Sequence, residues 1–372
     1  MVITMTTRLH RPLPDGARND ATRQFEAATY PQEKDEAWRY TDISDIAIDT
    51  LERRNTPFLL TSQGPCLTMD MRTATTTQRR LIEQYGSLTS GEPKDKIELL
   101  NDAFWANGFF THAAAGTSMV TVSGSSGVFR NIVIAEPGAR LTVIESLSGG
   151  VGLNNSLTNV ICMPDSQVTY VLLQRFTESV TDFSTKRAFV NRNASMSWNF
   201  CIAGSRLTRT TMENVLDGEG AHGEATGVFL GKNDRHVDVT CHARHRVPNT
   251  TNRITSKGVM RDRASSIFRG VIRIDKNAQK TNSYLSDNTL KLSPHTVANS
   301  VPSLFIDAND VKASHAATVG QIDDDQLFYI MSRGLAPEQA ERVIVEGFFA
   351  PVLAKAPTHD FREQILQAIE DF

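Results

Sequence analysis

The long central stretch from about residue 111 to residue 322 constrains the fold more than any other part of the chain. Apolar residues there alternate with polar ones, as at Met196, Trp198 and Phe200, and this period of two is typical of half-buried β-strands. Turn sequences such as Glu136–Gly138 separate the short strands. Because no segment between them has the pattern of a helix, the stretch is predicted to form a sandwich, a barrel or a solenoid.

The length of this β-rich stretch favours one of the three architectures. More than about 200 residues is long for a simple sandwich of two sheets. Stacked coils, each of which buries its inner face on its neighbours, accommodate such a length more easily. The sequence therefore favours a β-helix, although no strict repeat is visible in it.

Helical patterns flank the β-rich stretch on both sides, and we divide the chain into an N-terminal helical region (1–110), a β-helix core (111–322) and a C-terminal helical region (323–372). Carboxylates at Asp323 suit a helix start, Gly334 suits a stop, and Pro337 fits the first turn of the next helix. Helices are also predicted over Asp20–Ala28, Gln78–Tyr85, Lys94–Trp105 and from about Asp360.

Charge and hydropathy exclude several classes of protein. The 39 Lys and Arg residues against 42 Asp and Glu residues give a net charge of −3, whereas a nucleic-acid-binding protein carries a basic excess or stripe. No apolar run approaches the roughly 18 to 20 residues that span a bilayer, and the N-terminus lacks the apolar segment of a secretory signal. The four cysteines form no CxxC pair, so we expect a reducing, cytoplasmic setting without a zinc ribbon or a disulfide scaffold.

The usual catalytic motifs are missing from the sequence. A phosphate-binding loop needs glycines followed by Lys-Ser or Lys-Thr, but the Gly231–Lys232 pair precedes Asn233 and lacks the upstream glycine spacing. The sequence also has no GxSxG or HExxH motif. We therefore expect that the chain is not an ATPase and not an enzyme.

Cys241, His242, His245 and His236 form the densest set of possible metal ligands. Adjacent residues of a strand point to opposite faces, and Cys241 and His245 would lie roughly 13 Å apart on the same face, too far for one ion. We favour an inward Cys241, an inward His245 with a hydrogen-bond partner, and His242 in solvent.

A resemblance to a known family rests on the C-terminal segment. It contains Pro302–Ile306, Asp310–His315 and Ala317–Gly320, followed by Leu327–Tyr329 and Ser332–Gly334. In order and spacing these motifs resemble the signature of the SufB/SufD family of iron–sulfur cluster assembly proteins. Weaker similarities lie upstream at Trp38–Thr41, Lys257–Val259, Phe268–Gly270 and Leu290–Pro294.

The resemblance implies a fold, partners and a cargo. The family fold is a right-handed parallel β-helix flanked by N-terminal and C-terminal helical regions, in agreement with the three regions above. Family members assemble with SufC, an ABC-type ATPase, and the SufB–SufD pair builds a nascent iron–sulfur cluster. We therefore expect a SufB-like scaffold and a SufC-like ATPase as partners, and no cluster that this chain binds stably alone.

Two positions indicate a SufD-like member. SufB-type proteins carry a Cys a few residues before the equivalent of Pro302, but the segment 293–301 contains none, so the thiolate that would hold iron is missing. His315 matches a functional His of SufD-type proteins near the contact with SufB. We therefore select His315 as a cluster-site or interface residue and a candidate metal ligand. Ala313 stands where relatives often have Cys, so ligation here would rest on imidazole and on the partner.

The resemblance also implies that the C-terminal helices dock the ATPase. From the residues alone, most of the apolar surface of these helices is expected to be core. An exposed aromatic patch beside an Arg suits a partner contact, and the segment that matches the family contains such a set. The docking candidates are Leu327, Phe328, Tyr329 and Arg333.

Two alternatives to a non-catalytic SufD-like subunit stay open. The chain could be a self-sufficient scaffold of the same family that forms a homodimer with its ATPase. It could also be a β-helix enzyme that acts on polysaccharide, for which Asp234 and Asp238 are the nearest pair of carboxylates.

Overall fold

The computed structural model describes residues 15–54, 56–86 and 95–372. Within these ranges the chain forms mostly β-strands, with helices at both ends. The helices are α1 (Asp15–Ala27), α2 (Met71–Thr77), α3 (Arg79–Gly86), α4 (Lys96–Phe104), α5 (Asp324–Met331), α6 (Pro337–Leu353) and α7 (His359–Glu370). The strands are β1 (Leu59–Gln63), β2 (Cys66–Asp70), β3 (Phe109–Ala113), β4 (Gly116–Gly124), β5 (Val128–Ala135), β6 (Ala139–Gly149), β7 (Gly152–Cys162), β8 (Gln167–Phe176), β9 (Val180–Val190), β10 (Ser195–Ile202), β11 (Leu207–Leu216), β12 (His222–Gly231), β13 (His236–His245), β14 (Thr251–Met260), β15 (Ser265–Ile274), β16 (Thr281–Lys291), β17 (Val297–Ile306) and β18 (Val311–Gln321).

The strands form two nine-stranded sheets that wind into a β-solenoid of about 7 turns. Sheet A has the order β1-β4-β6-β8-β10-β12-β14-β16-β18, and sheet B has the order β17-β15-β13-β11-β9-β7-β5-β3-β2. Successive strands along the chain alternate between the sheets, and neighbours from β3 to β18 pair in parallel. The predicted parallel β-helix flanked by helices is confirmed.

The length of one coil varies, which explains why the sequence has no strict repeat. Register partners in neighbouring coils are 22 positions apart between β3 and β5 (Phe110 and Ile132) and 32 positions apart between β15 and β17 (Ser265 and Val297). Corners of the coil use residues that tolerate the left-handed conformation, including Asp165, Asn193 and Asn233. The predicted turn at Glu136–Gly138 joins β5 to β6, with Gly138 at a φ of 76°.

The main hydrophobic core lies between the two sheets. Met196, Trp198 and Phe200 all point into it and are almost fully buried, so the predicted period of two is confirmed. In β10 the residues between them, Ser195, Ser197 and Asn199, lie on the opposite face of the strand.

One ion pair lies inside the core and was not predicted. Lys186 on β9 donates to a carboxylate oxygen of Glu145 on β6 at 2.5 Å, and both side chains are fully buried. The Tyr170 hydroxyl donates to the same oxygen at 3.0 Å. A buried charge needs such a partner, because leaving one charge unpaired in the core is strongly destabilising.

The N-terminal region covers part of the outer face of sheet B. Side chains of α1 and α4, such as Phe25 and Leu100, pack in one cluster with Ile134 and Phe183 of the sheet. The region also contains two consecutive short strands, β1 and β2, which the sequence analysis did not predict. They belong to different sheets and pair antiparallel with β4 and β3, so each sheet gains an outermost strand at this end of the solenoid.

The C-terminal helices cover part of the outer face of sheet A. Phe349 of α6 and Phe361 of α7 lie in one cluster with Val228 and Val259. The helix starts are close to those predicted: Asp323 caps α5, Pro337 opens α6, and α7 begins at His359. The proposed region boundaries after residues 110 and 322 lie close to the start of β3 and the end of β18, and they stay a prediction.

Candidate functional site

The end of the solenoid formed by β17 and β18, here called the open end, is the candidate functional site. These two strands are the outermost members of sheets B and A, so each has one edge without a partner strand among the described residues. Apolar side chains are exposed there, with Phe305 exposed to 54%, and Val297, Ile306 and Val319 also reach solvent. Exposed edges with apolar side chains are templates for pairing with another chain.

His315 lies in the middle of β18 and is exposed. In the parallel register it stands beside Leu285 of β16. Leu285 is fully buried and belongs to the core between the sheets, so His315 extends the inner face of the solenoid at the open end. The imidazole is therefore available to a partner or to a metal ion.

Asp287 is the residue of this site that the sequence analysis missed. It lies on the inner face of β16 beside Ala317 of β18 and is fully buried. Neither carboxylate oxygen has a hydrogen bond of ordinary geometry. Burial raises the pKa of this carboxyl to about 7, although the hydroxyls of Ser300 and Ser256 act in the opposite direction. A charged residue in the alternating pattern of β16, between the buried Leu285 and Thr289, was the available signal in the sequence.

No cysteine of the described chain can serve as a thiolate at the open end. Residues 293–301 form a turn and the start of β17 without any cysteine. Cys162, Cys201 and Cys241 are buried in the solenoid, and burial raises the pKa of each thiol, for Cys201 to about 12. Cys66 lies on β2, near the opposite end of the sheet order.

The ATPase-docking candidates lie on α5 and directly after it. Phe328 is exposed to 72% and Tyr329 is also largely exposed, while Leu327 is half-buried. Arg333 donates a hydrogen bond to the Tyr329 hydroxyl at 2.8 Å, and its guanidinium lies over the same ring. Two residues separate the end of β18 from helix α5, and none of the residues of this helix is buried. The patch is therefore a second surface that a partner could contact.

The four potential metal ligands on β13, namely Cys241, His242, His245 and His236, do not point toward one another. Cys241 is buried and faces inward, and His245 is buried with its Nδ1 at 2.7 Å from the Thr250 hydroxyl, so both predictions are confirmed. The prediction that His242 lies in solvent is wrong. It is half-buried, because Glu213 stands directly beside it on β11 and holds its Nδ1 at 3.1 Å.

His236 belongs to a different polar cluster, which fixes the N-terminal region to sheet B. The buried Asp238 binds Arg209 and Arg269, each at 2.5 Å, and accepts a hydrogen bond from Thr41 at 2.6 Å. His236 contacts the Thr41 hydroxyl at 3.1 Å, and burial lowers the pKa of this imidazole. The Trp38–Thr41 motif is thus a contact point between two parts of the fold.

The two carboxylates considered for polysaccharide cleavage do not form an acid–base pair. Asp234 is exposed and accepts hydrogen bonds from Nε and Nη2 of Arg263, at 2.7 and 2.8 Å. Asp238 is buried between two arginines, which together with the Thr41 hydroxyl outweigh burial and lower the pKa of its carboxyl. Neither group is placed to donate a proton to a glycosidic oxygen.

Two further findings concern metal ligands and membrane-spanning helices among the described residues. In the ranges that the structure covers, no group of three or more His, Cys, Asp or Glu residues is arranged to hold a metal ion. None of the helices described is long and apolar enough to cross a membrane.

Comparisons with known proteins agree on one family. Residues 119–348 match the model for "SUF system FeS cluster assembly, SufBD core domain". The chain is 28% identical over 301 residues to an iron–sulfur cluster assembly SufBD family protein of Staphylococcus saprophyticus, and equally to relatives of the same description from Staphylococcus haemolyticus and Staphylococcus aureus. Each alignment covers 77% of this chain and 65% of the relative. The match therefore spans slightly less than two thirds of the length of these relatives.

Proposed function

This chain belongs to the SufB/SufD family of iron–sulfur cluster assembly proteins, and from that premise we propose that it is a non-catalytic, SufD-like subunit of a cytoplasmic SUF complex. In this role it pairs with a SufB-like scaffold and docks a SufC-like ABC-type ATPase. The nascent iron–sulfur cluster is the cargo of the assembled complex, and this chain does not hold it stably alone.

The observation that carries the proposal is the missing thiol at the open end. Iron–sulfur clusters are held mainly by cysteine thiolates. Residues 293–301 provide none, and three of the four cysteines are buried with raised thiol pKa values. A chain of this family without a thiolate at this end is better suited to complete a partner's site than to act as the scaffold.

The open end supports pairing with a second β-solenoid. Two strand edges and the exposed side chains of Phe305 and Val319 are located together there. A partner that adds strands to these edges satisfies their backbone groups and covers the apolar side chains. Such pairing places His315 at the subunit interface, where imidazole can complement ligands that the partner provides.

The exposed α5 patch supports docking of an ATPase. The chain has no phosphate-binding loop, so ATP hydrolysis in a complex must come from another subunit. Phe328, Tyr329 and Arg333 combine aromatic surface with a guanidinium, a composition typical of residues that dominate protein–protein binding energy.

Coexpression of this chain with a SufB-like scaffold and a SufC-like ATPase tests the proposal. We expect one complex that contains all three chains. Replacement of Phe328 and Tyr329 by Ala should release the ATPase but keep the scaffold, whereas the matched control Val343→Ala, at an exposed position of α6, should release neither. Separate elution of all three chains would contradict the proposal. A homodimer of this chain that retains the ATPase and excludes the scaffold would favour the alternative of a self-sufficient scaffold.

A further inference from the structure

An unpaired buried carboxylate lies directly under the open end. Asp287 has no exposed surface, and both of its oxygens lack a hydrogen bond of ordinary geometry. The groups nearest to its carboxyl are the hydroxyls of Ser256 and Ser300, which are neutral and also lack partners of ordinary geometry. Because native proteins rarely leave a buried carboxylate without a counter-charge, such a group requires an explanation.

The strand register places Asp287 diagonally next to His315 on the same face. Leu285 stands beside His315, and Asp287 stands beside Ala317. Neighbouring strands are about 4.8 Å apart and successive same-face residues about 6.6 Å, so the two Cα atoms are separated by roughly 8 Å. An imidazole and a carboxylate at this separation can reach one ion, and the residue beside Asp287 on β18 is Ala317, whose side chain is small.

The two side chains offer a mixed nitrogen and oxygen ligand set. Imidazole suits iron and zinc, and carboxylate suits harder ions, so iron(II) and its divalent neighbours accept both. We propose that Asp287 acts together with His315 as an oxygen ligand for a divalent metal ion of the iron(II) class at the open end. The proposal rests on the proposed function, in which the open end faces the partner, and remaining coordination positions are filled by water or by partner residues.

Anaerobic metal titration of the isolated full-length chain tests this inference. Co²⁺ serves as the probe because its visible absorption spectrum reports the ligands, and Fe²⁺ is then measured in competition. We expect His315→Ala and Asp287→Asn each to weaken Co²⁺ binding about tenfold or more, the scale on which loss of a site residue acts. The control Asp307→Asn removes an exposed carboxylate of the same end and should leave binding unchanged.

A third variant keeps both His315 and Asp287 but places a larger side chain beside them. Ala317→Val adds bulk beside Asp287 and should weaken Co²⁺ binding. Because position 317 is exposed, the variant should still fold. Wild-type Co²⁺ affinity and an unchanged spectrum in Asp287→Asn would overturn the inference. That result would leave the proposed function intact if coexpression still yields the three-chain complex, whereas loss of the complex from the wild-type chain would contradict the function itself.

Discussion

At the scale of single residues, the buried Lys186–Glu145 pair gives a sharp prediction. Lys186→Met leaves Glu145 as an unpaired charge in the core, so we expect the free energy of unfolding to fall by about 3 to 5 kcal/mol. The double variant Lys186→Met with Glu145→Gln removes both charges and should recover most of this loss. Urea unfolding monitored by circular dichroism measures both, and equal stability of the single and double variants would show that the pair does not matter.

The carboxyl of Glu213 predicts a pH dependence of stability. Burial alone would raise its pKa, but His242 and Arg187 outweigh that effect and lower the pKa to about 2. A lowered folded-state pKa contributes stability above the ordinary glutamate value, and this contribution is lost as the pH falls from about 4.5 toward 2. Between pH 5 and pH 2.5 the wild type should lose about 2 to 3 kcal/mol more than Glu213→Gln.

The matched control for this pH effect is Glu346→Gln, at an exposed position of α6. This variant should follow the wild-type loss of stability with falling pH in thermal unfolding. If Glu213→Gln also follows the wild-type curve, the contacts with His242 and Arg187 do not stabilise the folded state.

Of the two residues of the candidate site, His315 could be selected from the sequence and Asp287 could not. The family motif around His315 was enough to select this residue, because a motif is a local property of the sequence. Asp287 lies on β16, the neighbouring strand from the preceding coil, and its position beside Ala317 depends on a register that varies from coil to coil. Similarly, the Lys186–Glu145 pair joins strands far apart in sequence.

At the scale of elements, substitutions on the exposed strands of the open end should affect partner binding more than they affect the stability of the fold. Phe305 faces outward on β17 and is half exposed, so Phe305→Glu should change the free energy of unfolding by no more than about 0.5 kcal/mol. The same variant should fail to retain a SufB-like scaffold, because a charge replaces apolar surface at the proposed interface. The control is Val343→Glu, on α6, which should still retain the scaffold. If Phe305→Glu retains the scaffold as well as the wild type does, the face of β17 that carries Phe305 is not part of the interface.

Most helices and the period of the strands followed from local sequence. Asp323, Pro337 and the apolar face of α6 mark helices through capping and spacing alone. Strands β1 and β2 could not be predicted in this way, since they are short and partly exposed, with Thr and Ser among few apolar residues. Their strand state comes from pairing with β4 and β3, which is a tertiary effect that overrides local propensity.

At the scale of the whole molecule, the flanking regions leave the two ends of the solenoid in different states. Strands β1 and β2 add one antiparallel strand to each sheet at the first end. The N-terminal helices cover part of the outside of sheet B, and α6 and α7 cover part of the outside of sheet A. Among the described residues, β17 and β18 have no such cover. This asymmetry supports the proposal that the molecule is built to be completed at the open end by another chain.

Site-specific photocrosslinking within the coexpressed complex tests the central claim most directly. Benzoylphenylalanine at Val319, an exposed position of the open end, should form a covalent adduct with the SufB-like scaffold. The same group at Phe328 should instead form an adduct with the ATPase. If the group at Val319 crosslinks only to the ATPase or to a second copy of this chain, the open end does not pair with a scaffold and the account is contradicted.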